Sequence, residues 1–110
     1  MPYIPAQGDI ITLKFDPQTG HEQKGRRPAL VISNNIFNNL TKMALVCPIT
    51  RAERKFPLHV SLDDRSQTSG AIMCEQVKSL DVLSMGASFK EKVPLDVLAE
   101  VVDILSGFIE

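Results

Sequence analysis

GDIITLKFDPQTGHEQKGRRPALVI, residues 8–32, holds two kinds of strand and an unusual connection between them. Ile11, Leu13 and Phe15 alternate with Thr12 and Lys14, the two-residue period of a strand with one buried face, so residues 10–15 are expected to form the first strand. Residues 28–32, PALVI, are instead a short continuous apolar run with β-branched members, the pattern of a central strand buried on both faces. Pro28 suits the first position of that strand, where no ladder donor is needed. Between the strands, Asp16 to Pro28 carries two Gly, two Pro, a His, two acids, three bases and no aliphatic side chain. Hairpin loops usually take about two to five residues, and a connection this long is either functional or disordered.

Outward from this pair, Ser33, Asn34 and Asn35 on one side and Asn38 and Asn39 on the other enclose Ile36 and Phe37, which reads as a turn or a single helical turn capped by Asn or Ser. Residues 43–49 are expected to be the third strand, ending at Thr50, and residues 51–57 a basic loop. Residues 58–62 alternate again, residues 63–70 carry turn formers, and residues 71–77 read as a fifth strand, with weaker strand signal near 80–82 and 87–89. The period then changes. Leu95, Leu98, Val102, Leu105 and Ile109 recur at steps of 3, 4, 3 and 4, a helical stripe, with Pro94 at its start and Asp96 in its first turn. The expected fold is α+β: a small, strongly bent antiparallel sheet or barrel with a C-terminal helix packed on it. The helix stripe serves either the core or a second copy of the chain.

At 110 residues, 12.2 kDa and 44% hydrophobic composition, the chain is expected to be a single domain, 1–110, with one core. No apolar run approaches the roughly 18 to 20 residues of a membrane span, and the N-terminus lacks a basic start before an apolar stretch, so the expectation is cytoplasmic with no membrane partner. Cys47 and Cys74 lie singly in apolar runs without zinc-like spacing and read as reduced core residues; no metal site is expected. The net charge of −1 conceals an asymmetry: residues 1–60 carry eight Lys/Arg against four Asp/Glu, a balance of +4, whereas residues 61–110 carry four against nine, a balance of −5. One half can present a basic surface although the whole does not.

Within the polar connection, His21, Glu22, Arg26 and Arg27 offer a proton acceptor, a proton donor and a bidentate cation. Taken singly, each is better explained as a solvated loop residue. The chain has no Gly-x-Ser-x-Gly elbow, phosphate loop, Cys-His pair or metal-ligand cluster, so no cofactor is expected. RNA cleavage needs none of these, because the 2′-hydroxyl of RNA attacks its own phosphate once a base removes the proton and a cation and a hydroxyl steady the phosphorane. Thr50, where the third strand leaves the sheet, is a candidate hydroxyl.

Several spaced motifs then coincide: Gly8-Asp9-Ile10; Asp16-Pro17; Gly20-His21-Glu22-Gln23; Gly25-x-Arg27-Pro28-Ala29-Leu30-Val31-Ile32; Phe37-Asn38; Pro48-Ile49-Thr50; and Glu75-Gln76-Val77-Lys78-Ser79-Leu80-Asp81. In this order, over nearly the whole chain, they resemble the MazF/PemK family of bacterial toxin ribonucleases. The resemblance implies an SH3-like, CcdB-like β-barrel with a C-terminal helix, assembled as a homodimer. It implies an endoribonuclease that cuts single-stranded mRNA at short sequences without a metal, leaving a 2′,3′-cyclic phosphate and a 5′-hydroxyl and inhibiting translation and growth. It also implies a cognate MazE-like antitoxin with an acidic, disordered tail. By position, Arg27 and Thr50 are assigned to the phosphate and transition state and Glu22 to activity, while His21 matches members with His rather than Ser there. Asn34, Glu75, Gln76 and Gln23 are assigned to substrate binding. If residues 71–77 are a strand, Met73, Glu75 and Val77 share one face. Met73 departs from relatives that carry Arg, and Phe15 or Phe56 offers a surface for base stacking. The alternative from another class is a non-catalytic, CcdB-like inhibitor of DNA gyrase or another protein target, which would have no need of Arg27, Thr50 and Glu22 together. A degenerate member kept only to bind an antitoxin is a third.

Overall fold

A computed structural model describes residues 3–14, 25–52 and 55–109. The elements run β1 (Asp9–Lys14), β2 (Arg26–Val31), α1 (Asn35–Thr41), β3 (Ala44–Thr50), β4 (His59–Ser61), β5 (Ala71–Met73), a 3-10 turn (Cys74–Gln76), β6 (Lys78–Leu80), β7 (Ser88–Lys92) and α2 (Leu95–Ile109). The seven strands form an antiparallel sheet in the order β4-β5-β3-β2-β1-β7, with β6 also on β3. Among the described residues the hydrogen-bonding path does not close into a ring. The antiparallel sheet and terminal helix expected from the sequence are both present.

The central strands are buried on both faces, because each face carries its own apolar cluster. On one, Ile10, Leu30, Cys47, Ile49, Val60 and Ile72 pack with Val97 and Val101 of α2; on the other, Ile11, Leu13, Ala29, Val31 and Val46 pack with Val82. The expectation of one buried face for β1 is therefore corrected: Ile10, beside the alternating set, is fully buried under the α2 side. The single core expected of the chain is divided in two by the sheet. Pro28 is the third residue of β2 and not the first, because Arg26 and Arg27 pair with Lys14 and Leu13 of β1.

The expected fifth strand breaks. Between Val46 and Thr50 β3 advances four residues, while its partner advances seven, from Ala71 to Lys78. The surplus is the 3-10 turn Cys74–Gln76, which is extruded from the ladder and projects Glu75 and Gln76 outward as exposed residues. Met73, Glu75 and Val77 therefore do not share a strand face.

Of the turn or single helical turn expected after β2, the helical alternative is the one present: α1 is a seven-residue helix capped by Asn34. The Asn34 carboxamide accepts from Phe37 N at 2.9 Å, and Lys42, in the left-handed region at φ 61°, closes the other end by donating to Asn38 O. The buried Asn38 amide donates to the carbonyls of Pro5 (2.9 Å) and Ser33 (3.1 Å), tying α1 to the N-terminal segment. In α2 the buried stripe is Val97 and Val101, flanked by Leu98, Ile104 and Leu105. The expected stripe is only partly right: Leu98 and Leu105 face the core, but Leu95, Val102 and Ile109 are exposed, since the helix is apolar on two faces and the 3-4 spacing drew from both.

Candidate functional site

The two residues singled out for phosphate contact meet in one cleft. Arg27 lies in β2 two residues before Ala29, which faces Pro48 of β3, and Thr50 ends β3 two residues after Pro48. Both line a cleft of about 420 Å³, together with Arg26, Arg51, Lys78 and Met73. Among the described residues four cationic side chains and no carboxylate line it, and the potential they create favours a polyanion. Pro28 and Pro48 line the same cleft, each removing a ladder donor beside it.

Thr50 is held by its own turn. Its Oγ1 accepts from Ala52 N at 3.1 Å, which fixes the hydroxyl where β3 leaves the sheet and leaves the hydroxyl hydrogen to donate outward. On the opposite side, a Cβ on Gly70 would lie 2.1 Å from the Thr50 carbonyl oxygen, so only glycine lets the 63–70 turn pass this close. Arg26 is a brace: Nε donates to Thr12 Oγ1 (2.9 Å), and Nη2 donates to the carbonyls of Thr12 (2.8 Å) and Gly86.

The remaining candidates are placed as follows. Glu75 and Gln76 are exposed on the extruded turn, and Glu75 Oε2 lies 3.0 Å from His59 Nε2 of β4. Asn34 caps α1 and does not line the cleft. His21, Glu22, Gln23 and Phe15 lie outside the described residues. Three contributors carried no assignment from the sequence: Arg51 and Lys78 as cleft cations, and His59 as the partner of Glu75. Arg51 directly follows Thr50 and Lys78 stood inside a matched motif, so both had a visible signal; His59 had only its alternating position.

Cys47 and Cys74 are buried and unbridged, as read from the sequence. The hydrogen bond between them and the burial of the pair hold the Cys47 thiol well above its ordinary range, so it stays protonated.

Comparisons with known proteins agree with this geometry. The model of the PemK-like, MazF-like toxin of type II toxin-antitoxin systems matches residues 6–109. The chain is 36% identical over 108 residues to the endoribonuclease toxin MazF of Escherichia coli (strain K12), covering 96% of each. It is 35% identical over 104 residues to endoribonuclease PemK of Escherichia coli, covering 91% of this chain and 78% of that protein. Among solved structures, a chain of the MazE-MazF crystal structure from Deinococcus radiodurans (Form-II) superposes with a TM-score of 0.89 at 39% identity, covering 97% of this chain and 96% of that one. By family match, sequence identity and fold, the chain belongs to the PemK-like, MazF-like toxins of type II toxin-antitoxin systems.

Proposed function

We propose that this endoribonuclease toxin cuts single-stranded mRNA without a metal, by attack of a 2′-hydroxyl on the adjacent phosphate, and so inhibits translation and growth. The bond from the 2′-oxygen to phosphorus forms as the bond to the 5′-oxygen breaks, giving a 2′,3′-cyclic phosphate and a 5′-hydroxyl. Arg27 and the Thr50 hydroxyl donate to the non-bridging oxygens as negative charge grows there. Glu22 and His21 are assigned to proton transfer from their place in the sequence. Glu75, Gln76, Gln23 and Asn34 are assigned to holding the strand on either side.

The observation that carries this reading is the convergence of Arg27 and Thr50 on one wall of a cation-lined cleft, in a chain whose relatives are named endoribonucleases. The same cations suit an acidic antitoxin tail competing with RNA, and the MazE-MazF crystal structures from Deinococcus radiodurans support such a partner. Exposed Leu95, Val102 and Ile109 on α2 support a homodimer. The proposed site of action is the cytoplasm.

The test is a long unstructured RNA incubated with the protein in EDTA, beside Arg27→Ala. Cuts at one short motif bearing 5′-hydroxyl ends, reduced about 100- to 1,000-fold in the variant, are expected. Intact RNA together with arrested DNA supercoiling would replace this reading with the gyrase one.

A further inference from the structure

Arg26 opens β2, and its pairing with Lys14 is the end pair of the β1–β2 ladder, next to the polar connection of residues 15–25. Consecutive residues of a strand point to opposite faces. Arg27 lies opposite Leu13, on the face of the second apolar cluster, so Arg26 turns to the other face, where Thr12 is its diagonal neighbour across the ladder. A long side chain spans that diagonal. Arg26 Nε donates to Thr12 Oγ1 at 2.9 Å and Nη2 to the Thr12 carbonyl at 2.8 Å; Nη2 also donates to the Gly86 carbonyl, in the turn between β6 and β7. One guanidinium thus ties the first residue of β2 to β1 and, across β1, to the β6–β7 turn.

That anchor is itself fixed. Lys14 N donates to Met85 O (3.0 Å), Ala87 N to Val82 O (3.0 Å) and Ser84 N to Asp81 Oδ1 (3.2 Å), while Val82 is buried in the second cluster. Gly86 has a φ of +67°, and a Cβ there would stand 3.6 Å from Arg26 Nη1, so the turn packs directly against the guanidinium. The turn continues from β6, whose Lys78 and Leu80 line the first cleft. The clamp therefore joins the strand that carries Arg27 to the segment that carries Lys78. None of its three acceptors is a carboxylate, so the fork is used for its geometry and not for charge pairing.

We propose that Arg26 is a positioning residue for cleavage: clamped to Thr12 and Gly86, it holds the end of β2 so that Arg27 meets the scissile phosphate in one orientation. The proposal rests on the ribonuclease reading above. Ladder ends open most readily, and Arg27 is one pair in from this end. Once the Arg26–Lys14 pair opens, Arg27 is the last paired residue and its backbone is free to swing. A group displaced by about an ångström from the reacting atoms loses on the order of 100-fold in rate. Lysine keeps the charge but is a point donor without a fixed fork, and it cannot hold a hydroxyl and two carbonyls together.

The test compares wild type, Arg26→Lys, Thr12→Val and the double variant in three measurements: steady-state cleavage of an RNA, binding of its non-cleavable 2′-O-methyl form, and hydrogen exchange of the Arg27 backbone amide by NMR. Arg26→Lys is expected to lower kcat about 10- to 100-fold while RNA binding and KM stay within about threefold. Thr12→Val keeps every charge and introduces a strand-favouring residue, so it should melt no lower than wild type and still lose about threefold to tenfold in kcat. The double variant should be no worse than Arg26→Lys alone, because both changes remove the same hydrogen bond. Exchange at the Arg27 amide should quicken about tenfold in Arg26→Lys. Full kcat in Arg26→Lys, or a raised KM with unchanged kcat in Arg26→Ala, would reduce Arg26 to a cation for phosphate and overturn the clamp, leaving the ribonuclease reading standing. Unchanged exchange at Arg27 would overturn it equally. No cleavage by the wild type would overturn the ribonuclease reading and this role with it.

Discussion

Gly70 sets how closely the 63–70 turn approaches the cleft wall at Thr50. Its φ is +118°, and a methyl group there would collide with the Thr50 carbonyl, a backbone atom that has no cheap way to yield. Gly70→Ala is expected to cost about 1–3 kcal/mol in denaturant unfolding and to lower RNA cleavage by displacing Thr50, whereas a surface glycine with open space such as Gly25 should tolerate alanine. Equal stability of Gly70→Ala and wild type would contradict this packing. At the same scale, Glu91 accepts from the Gln67 N–H (3.0 Å), the Thr68 N–H (2.8 Å) and the Thr68 hydroxyl (2.6 Å). Burial pushes the Glu91 carboxyl up, but these hydrogen bonds outweigh it and hold it below its ordinary 4.5. A carboxyl lowered on folding contributes stability that is complete above pH 4.5 and is lost as pH falls through the folded value. The stability gap between wild type and Glu91→Gln should therefore be widest near neutrality and close below pH 4.5. Arg27 and Thr50 were singled out by the family resemblance, since neither stands out alone, and the structure brings both to one cleft; the contacts of Gly70, Glu91 and His59 reach 16 to 24 residues away and no local pattern encodes them.

Element by element, the strands were legible where one period ran unbroken and illegible where an insertion reset it. Residues 71–77 have the composition of one strand, yet the three residues Cys74–Gln76 exceed what β3 can pair, and composition does not count partners. The C-terminal helix was plain from its period, but its inward face was not, because Leu95, Val102 and Ile109 are as apolar as the buried Val97 and Val101. For α1 the Asn-rich segment announced a cap and at most one helical turn but not the helix's length, since a stabilising contact is the buried Asn38 rather than any stripe. The two asparagines should separate experimentally. Asn34→Ala loses one exposed cap bond and should cost about 1 kcal/mol. Asn38→Ala strips donors from buried carbonyls and should cost more, about 1–3 kcal/mol for each group left unmatched. Chemical denaturation of both variants checks the order; a larger loss for Asn34→Ala would mean that the helix is held by its end rather than by its core contact.

Over the whole molecule, the charge asymmetry resolves into a division of labour. The positive half, residues 1–60, supplies Arg26, Arg27 and Arg51 to the cleft, and only Lys78 comes from the acidic half. The acidic half spends carboxylates on its own structure: Asp63 and Asp96 converge on Arg65, and Glu91 staples the 63–70 turn. A chain of net charge −1 thus presents a cleft whose charged lining, among the described residues, is all cationic, and this arrangement has a measurable signature. Single-stranded nucleic acid releases about 0.7 counterion for each phosphate neutralised, so the slope of log affinity against log salt counts the cations engaged. Among the described residues four cations line the cleft, so a non-cleavable RNA that engages them all is expected to give a slope of about −3. Replacing Lys78 or Arg51 by Ala should flatten that slope by about 0.7 without altering which bases are preferred, because phosphate contacts position the strand and carry no sequence information. A slope near zero would instead mean that RNA is held by stacking and base contacts away from these cations, and the assignment of the phosphate to Arg27 and Thr50 would fall with it.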